Sequence, residues 1–225
     1  MNVSRLTESS LFRGVPEREI RDLLELCHPT IKSYLKQEVV FSLADFADQL
    51  GVVLSGEILV SKIFESGKLV RMTTKKTGDM IGEVACFSRT QTYPCQLTAE
   101  KNSQILIFSK ADMKFLLQQN ETVLQNFLSE LSSQSYFLHK KIELLSYKGT
   151  DQKLAYFLLS SPQTNQGKPI PLPGSVVKLA LDMNVSRTTL HREIRHLEEQ
   201  NLIRYQDKTF QILNREGLQR VLSDE

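Results

Sequence analysis

Four leucines recur at intervals of seven residues in the middle of this 225-residue chain, at positions 124, 131, 138 and 145. A heptad repeat that persists for about four heptads predicts a long helix with one apolar seam, and leucine at each d position is typical of a parallel two-stranded coiled coil. The alternative is a core helix that packs against its own domain. The residues predicted at the seam, and therefore at a homodimer interface, are Leu124, Leu128, Leu131, Ser135, Leu138, Ile142 and Leu145.

The composition is that of a globular protein, with 40% hydrophobic and 24% charged residues. No segment approaches the ~20 consecutive apolar residues of a membrane-spanning helix. The N-terminus also lacks the apolar core of a signal peptide. These features predict a cytoplasmic protein with no membrane partner. The net charge of +2 is too small to indicate nucleic-acid binding by itself, so such a role depends on where the charges lie.

The chain offers little for metal binding or catalysis. Its three cysteines, Cys27, Cys86 and Cys95, are widely spaced and include no Cys-x-x-Cys pair, which argues against a disulfide framework and a zinc site. No P-loop, nucleophile elbow or His-Glu-x-x-His motif is present. An enzyme on a cupin-like barrel would need clustered histidine and carboxylate ligands, yet none of the four histidines falls between residues 30 and 109. We therefore predict neither a metal site nor an enzyme.

Residues 30–109 carry a different pattern, in which short runs of β-branched and aromatic residues alternate with glycines. Several short strands at such spacing predict an antiparallel barrel or jelly roll, preceded by one or two short helices within residues 4–28. The predicted strands are Val39–Phe41, Leu50–Leu54, Ile58–Phe64, Leu69–Thr74, Gln96–Ala99 and Ile105–Phe108, with tight turns at residues 55–57 and 66–68.

The segment 181–203 combines a turn with a basic helix. Residues 175–181 predict a first helix, Asn184 lies in a turn where asparagine tolerates the left-handed conformation, and Ser186 is the expected N-cap of a second helix. Arg187 in the first turn of that helix opposes the helix dipole, which makes sense if a phosphate or a guanine is its partner. Residues 201–213 then predict a hairpin, or wing. The residues predicted to contact DNA are Ser186, Arg187, Thr188, Thr189, His191, Arg192, Arg195 and Lys208.

These patterns predict an α+β protein in three parts. Residues 1–109 form an antiparallel β jelly roll or barrel with N-terminal helices, residues 110–147 a long dimerisation helix, and residues 148–225 a winged helix-turn-helix domain. Gly149 is predicted to end the long helix and to serve as a hinge, with Thr150 or Asp151 capping the next helix.

The chain resembles the Crp/Fnr family of bacterial transcription regulators in two motifs. Residues 185–192, continuing into 197–203, look like the family's winged helix, and Gly78-Asp-Met-Ile-Gly-Glu83 resembles the Gly-x-x-x-Gly-Glu of its effector-binding barrel. The resemblance implies that Arg187, Thr188 and Arg192 face base edges or phosphates. Better-known members carry glutamate where this chain has Thr188, and glutamate accepts a hydrogen bond from the cytosine amine, so the base preference of those members does not carry over to this position.

The resemblance also bears on the effector. Cyclic-AMP-binding relatives follow the Gly-Glu pair with an Arg-Ser that holds the cyclic phosphate, but here Tyr93 and Pro94 stand in those places. A phosphate buried without a cation is costly, so the sequence argues against cyclic AMP, with nearby Arg89 as the alternative cation. The residues predicted to line a small-molecule site between barrel and long helix are Gly82, Glu83, Tyr93, Pro94, Cys95, Leu138 and His139. The structural alternative for Glu83 is a carboxylate that binds turn amides.

Other sensor chemistries among such relatives fit the sequence less well. An iron–sulfur cluster needs about four thiolates, and the N-terminal region offers only Cys27, so no such cluster is expected. His28 and His139 are candidate haem ligands, and Cys86 or Cys95 could take a redox role. A small organic effector, in a mostly apolar pocket with a few polar groups, is the favoured option; its identity is unknown.

The predicted function is therefore a homodimeric DNA-binding regulator whose DNA affinity depends on a small effector other than cyclic AMP. Its predicted partners are near-palindromic duplex DNA, a second copy of the chain and, by family analogy through the loop 161–169, RNA polymerase. The alternatives are a redox- or haem-dependent sensor regulator, and a ligand-binding scaffold that uses the winged helix for protein contacts.

Overall fold

The structure is a computed structural model that describes residues 3–43, 45–64, 69–90, 92–164 and 167–223. The chain divides into two compact units, residues 1–134 and 135–225. No helix in the described ranges is long and apolar enough to cross a membrane. The predicted fold class, an antiparallel β domain followed by a long helix and a helix-turn-helix domain, is confirmed.

The first unit begins with a 3-10 turn at Val3–Arg5 and helix α1 (Glu17–Cys27). Its strands are β1 (Thr30–Tyr34), β2 (Val39–Phe41), β3 (Gln49–Ser55), β4 (Glu57–Ile63), β5 (Leu69–Lys76), β6 (Met80–Ile81), β7 (Gln96–Ala99) and β8 (Ser103–Ser109). Helix α2 (Glu83–Phe87) lies between β6 and β7, and α3 (Lys110–Gln119) follows β8. Two four-stranded antiparallel sheets result, in the orders β1-β8-β3-β6 and β2-β7-β4-β5.

The six strands predicted from the sequence are present, β2 and β7 with the predicted ends and the other four with slightly different ends, and the described residues of the first unit contain two further strands. Strand β1 escapes prediction because it is an edge strand with four of its five residues exposed, so it lacks an apolar alternation. Strand β6 has only two residues. The turn predicted at residues 55–57 joins β3 to β4, where Gly56 has a φ of +92° and a Cβ would lie 2.7 Å from the Asn102 carbonyl. The turn predicted at residues 66–68 lies outside the described residues.

Two apolar clusters stabilise the first unit. One fills the space between the sheets and includes Phe41, Ile58 and Leu97. The other packs α1 and α3 against the outside of β3 and β8, and it takes in Val123 and Phe127 from the start of α4 (Glu121–Ser146). The first part of the long helix is therefore part of the core of the first unit.

The long helix predicted from the heptad repeat is α4, which runs for 26 residues. The helix predicted over residues 110–147 is divided in the structure, because α3 ends at Gln119 and α4 begins at Glu121, and α4 ends at Ser146, one residue before the predicted end. Gly149, predicted to end this helix, lies three residues beyond its last residue. Gly149 is instead the N-cap of α5 (Thr150–Leu159) with a φ of −78°, and its N–H donates to Oε1 of Gln152 at 3.1 Å. Gly149 rather than Thr150 or Asp151 thus occupies the capping position, and the Gln152 side chain satisfies its free amide.

In its described residues, the second unit packs helices α5 to α8 and a small sheet around one core. After α5 come β9 (Ile170–Pro171), α6 (Val176–Asp182), α7 (Arg187–Glu199), β10 (Ile203–Gln206), β11 (Thr209–Ile212) and α8 (Arg215–Ser223). The sheet order is β10-β11-β9, and the β10–β11 hairpin is the wing predicted from the sequence. Its turn residues Asp207 and Lys208 both have positive φ, as a type I′ hairpin turn requires.

Candidate nucleic-acid interface and effector region

Helix α7 begins where the sequence predicts. Ser186 is its N-cap, and the Ser186 Oγ accepts a hydrogen bond from the Thr189 amide at 3.0 Å. Asn184 has a φ of +54°, the left-handed conformation expected for the preceding turn. Both features arise from local side-chain chemistry, which explains why the sequence alone predicts them.

The apolar stripe of α7 faces the core of the second unit, and its basic face is left outside. Leu190, Ile194 and Leu197 are buried, whereas Arg187 and Arg192 are exposed. Because side chains three and four residues apart share a helix face, burial of one stripe orients the others outward. An open depression along this face is lined by Arg187, Thr188, His191, Arg192 and Arg195, together with Glu193, His196 and Glu199.

Intrahelical contacts hold two of the arginines. Nε of Arg187 donates to Nε2 of His191 at 3.5 Å, and Arg192 donates through both Nε and Nη2 to Oε1 of Glu193 at 3.1 Å. Glu193 is missing from the predicted DNA-contact residues, although it neighbours Arg192 in sequence. Its carboxylate reduces the positive charge of this face, so binding of a phosphate requires Arg192 to change partners or to bind both.

Hydroxyl groups surround the start of α7. The Ser186 Oγ lies 2.8 Å from the hydroxyl oxygens of both Thr188 and Thr189. Hydroxyls can donate to or accept from several base edges, and none of them carries the charge that glutamate would bring at residue 188. Lys208, at the tip of the wing, is exposed, so its ammonium group is available to an anion.

In the first unit, Gly82 lies next to the Tyr93 ring, and Glu83 follows Gly82 in the chain. Tyr93 is buried, its ring stacks on Phe41 with centroids 4.4 Å apart, and its hydroxyl donates to the Gln49 carbonyl at 2.6 Å. Gly82 has a φ of +79°, and a Cβ there would lie 3.3 Å from the Tyr93 ring and 3.0 Å from the Phe41 ring. The phenol therefore fills space within the barrel, and burial raises its pKa above the ordinary 10.0.

Glu83 is only 3% exposed and belongs to a polar cluster that the sequence does not predict. Gln134 donates through Nε2 to Oε1 of Glu83 at 2.6 Å and to Oε1 of Glu130 at 3.1 Å. Lys75 Nζ lies 3.7 Å from Glu83 Oε1 and 3.9 Å from Glu130 Oε1. Among the described residues, the partners of Glu83 are thus side chains rather than the turn amides of the structural alternative. We call these four residues the Glu83 cluster; it joins α2, β5 and α4 within the first unit.

The other predicted effector residues are more exposed. Pro94 is exposed and Cys95 half-buried, with its Sγ 3.2 Å from Sδ of Met72. Leu138 and His139 lie in the second unit, and both are exposed. Arg89, the alternative cation for a phosphate, is exposed, and the described cation next to Glu83 is Lys75. Within the described ranges, no three His, Cys, Asp or Glu residues come together to hold a metal ion.

Two domain families match the chain. Residues 31–120 match the Cyclic nucleotide-binding domain, and residues 152–221 match the Crp-like helix-turn-helix domain. The cAMP-activated global transcriptional regulator CRP of Salmonella typhimurium is 24% identical over 189 residues, which cover 82% of this chain and 90% of that protein.

Solved structures share the fold at lower identity. The Thermus thermophilus catabolite activator protein is 20% identical with a TM-score of 0.57, and the match covers 96% of this chain and 99% of that one. The complex of CprK with OCPA is 19% identical with a TM-score of 0.63, covering 90% of this chain and 93% of that one. The two domain matches, in this order and over most of the chain, place it in the Crp/Fnr family, as a Crp-like transcription regulator with an effector-binding domain and a helix-turn-helix domain.

Proposed function

We propose that the protein is a homodimer that binds near-palindromic duplex DNA through α7, under the control of a small effector other than cyclic AMP. The observation that carries the proposal is the exposed face of α7, where Arg187, Arg192 and Arg195 line one depression. Guanidinium groups bind phosphates and bind guanine O6 and N7 in the major groove, and an α-helix fits that groove.

The exposed apolar side chains of α4 support a homodimer. Leu128 is 48% exposed, Leu138 56%, Ile142 66% and Leu145 41%. These four residues belong to the predicted seam. Exposure of such apolar side chains to water is unfavourable. A second copy of α4 is the partner that a heptad seam fits. Two copies of α7 would then have to lie about 34 Å apart to read successive turns of DNA.

The surroundings of Glu83 support an effector other than cyclic AMP. The cyclic phosphate is an anion, whereas the Glu83 cluster holds two carboxylates and one lysine. Tyr93, at the place where the resemblance expects arginine, is buried and already donates its hydroxyl to Gln49. A phosphate there would face two carboxylates and a lysine that already lies near both of them, which is unfavourable in a desolvated site. A ligand with hydrogen-bond donors suits Glu83 better. The effector contacts of Pro94, Cys95, Leu138 and His139 stay predictions, as does an interaction with RNA polymerase.

The cysteine environments favour a bound effector over thiol redox chemistry. Burial, the main cause, raises the pKa of both Cys27 and Cys86 to about 11, and burial also raises the pKa of Cys95 against the opposing effect of Lys62. A thiol with a raised pKa is protonated at neutral pH, and a protonated thiol is a poor nucleophile.

The experiment is a selection of duplexes from a randomised pool by the purified full chain, followed by a salt titration of the selected duplex. We expect selection of two related half-sites about one helical turn apart, and an affinity that falls linearly on a log–log plot against salt. Selection of no duplex would refute DNA reading and favour the scaffold alternative. Calorimetric titration with cyclic AMP serves as the second arm, and saturable micromolar binding there would refute the effector part of the proposal.

A further inference from the structure

Within the second unit, the last turns of α4 are tied to the helix-turn-helix at two points. Lys141 donates through Nζ to the backbone carbonyl of Asp182, and the same Nζ lies 3.5 Å from Asp182 Oδ1. Two residues farther along α4, Glu143 accepts a hydrogen bond of 2.6 Å from the hydroxyl of Tyr156 on α5. Each contact joins α4 to a different helix of the DNA-binding unit.

The ammonium group of Lys141 lies at the C-terminal end of α6, where a cation stabilises a helix. Asp182 is the last residue of α6, and the final carbonyls of a helix have no intrahelical donor and carry the negative end of the helix dipole. The ammonium group therefore caps α6 as well as pairing with the Asp182 carboxylate. The side chain of Lys141 is 27% exposed, so water screens this interaction less than a fully exposed pair.

The second contact is part of a small network. Lys140 Nζ lies 3.3 Å from Glu143 Oε2 and 5.4 Å from the centroid of the Tyr156 ring, and the rings of Tyr147 and Tyr156 are 5.3 Å apart. The Tyr156 hydrogen bond is the main cause that lowers the pKa of Glu143, which keeps this carboxylate charged. Leu144, the residue after Glu143, packs against the core of the second unit.

We propose that Lys141 is a positioning residue for DNA reading: by holding the end of α6 against α4, with the Glu143–Tyr156 pair as the second anchor, it sets the orientation of α7. The capped carbonyl precedes the turn at Met183 and Asn184, which leads directly into Ser186 and Arg187. The orientation of α7 relative to the last turns of α4 then determines the half-site spacing that a dimer reads. The inference rests on the proposed function, because spacing has meaning only for two copies on one duplex.

The test compares Lys141→Met with Lys141→Arg and Lys178→Met. Methionine keeps the length and helix propensity of the side chain but removes its charge and donors, whereas arginine keeps both. Lys178 is an exposed lysine on α6, so Lys178→Met removes the same charge from the neighbouring helix. It serves as the matched control for a purely electrostatic effect on DNA affinity.

The first readout is amide hydrogen exchange of the full chain without DNA. The amides of Met183, Asn184 and Val185 donate to carbonyls of α6 and report on the turn before α7. We expect their exchange to be about tenfold faster in Lys141→Met, unchanged in Lys178→Met, and close to wild type in Lys141→Arg. Tyr156→Phe, which removes only the hydroxyl, should accelerate exchange at the end of α4 in the same way. Equal exchange in Lys141→Met and Lys178→Met would overturn the proposal.

The second readout is the dependence of affinity on half-site spacing, measured on the selected duplex with base pairs inserted between the half-sites. When a few base pairs are inserted, the affinity of wild type should fall by about tenfold or more, and the affinity of Lys141→Met should fall clearly less. The affinity of Lys141→Met for an isolated half-site should equal that of wild type. A spacing penalty as steep as that of wild type would refute the positioning role. If wild type selects no duplex, the proposed function fails, while the exchange measurement still decides whether Lys141 holds the turn.

Discussion

Gln134 donates a hydrogen bond of 2.6 Å to the carboxylate of Glu83, a residue 51 positions earlier in the chain that is 3% exposed. The bond joins α4 to α2, and the same Nε2 of Gln134 also donates to Oε1 of Glu130. In the first unit, the start of the long helix is therefore held to the barrel by a polar contact in addition to apolar packing. An effector that binds Glu83 has to share or replace this donor.

Replacing Gln134 with alanine should lower the free energy of unfolding of the first unit by about 1–3 kcal/mol, because a buried carboxylate loses a donor. Urea unfolding of the full chain, followed by circular dichroism, measures the effect. Gln125→Ala is the control, since Gln125 is an exposed glutamine on the same helix. An equal loss in the two variants would show that only helix propensity was changed.

The arginines of α7 should account for a measurable part of the salt dependence of DNA binding. Arg187→Ala and Arg192→Ala should each weaken binding, and each should reduce the log–log salt slope by about 1 if the guanidinium neutralises a phosphate. Fluorescence anisotropy at several salt concentrations measures both quantities. Arg18→Ala, at an exposed arginine on α1, removes the same charge and should leave the slope unchanged. Unchanged affinity and slope in both α7 variants would contradict the proposed DNA face.

Leu138→Gln should weaken the dimer. The side chain is 56% exposed on one chain, and burying a leucine in a partner seam contributes roughly 1.5–3 kcal/mol per protomer. The dimer dissociation constant should therefore rise by about a hundredfold or more, which sedimentation equilibrium detects. Leu181→Gln is the control, because Leu181 is 73% exposed but lies on α6. A dimer equally tight in both variants would place the interface elsewhere.

Thr188→Glu should change the preferred base rather than the overall affinity. Glutamate accepts a hydrogen bond from the cytosine N4 amine, whereas a threonine hydroxyl serves more than one base. Repeating the duplex selection with this variant should enrich cytosine at one position of each half-site. The binding free energy should favour cytosine there by about 1–3 kcal/mol over the other bases. Thr98→Glu on β7 offers the same change outside the DNA face and should select the wild-type sequence. An identical selected sequence for Thr188→Glu would contradict a base contact at residue 188.

Tyr93 should make the protein less stable at alkaline pH. Burial raises its pKa above the ordinary 10.0, so the folded state keeps the proton when the unfolded chain loses it, and stability falls as the pH rises past about 10. At neutral pH, Tyr93→Phe should have a free energy of unfolding about 1 kcal/mol lower than wild type, because the hydrogen bond to Gln49 is lost. From about pH 9 to pH 11, its free energy of unfolding should fall less than that of wild type. Thermal unfolding across this range provides the measurement, and Tyr136→Phe, at a residue 65% exposed, should follow wild type. Parallel declines for Tyr93→Phe and wild type would refute the assigned pKa shift.

Local sequence patterns predict most of the fold. The heptad repeat predicts α4 and the alternating runs predict six of the eight strands in the described part of the first unit, because side-chain periodicity matches the geometry of each element. The N-cap at Ser186 and the left-handed residue at Asn184 also follow from nearest neighbours. Strand β1 is the counterexample: its exposed residues have no alternation, and it forms because β8 supplies a partner.

By itself, the sequence determined the order of the elements, the basic face of α7 and the apolar seam of α4, since each depends on residues within one or two helical turns. The tertiary structure decided which distant side chains meet: Gln134 and Lys75 at Glu83, the Phe41 ring on Tyr93, and Lys141 at the end of α6. No spacing rule links such pairs, because their contact depends on how whole elements pack and on which buried polar groups still need a partner.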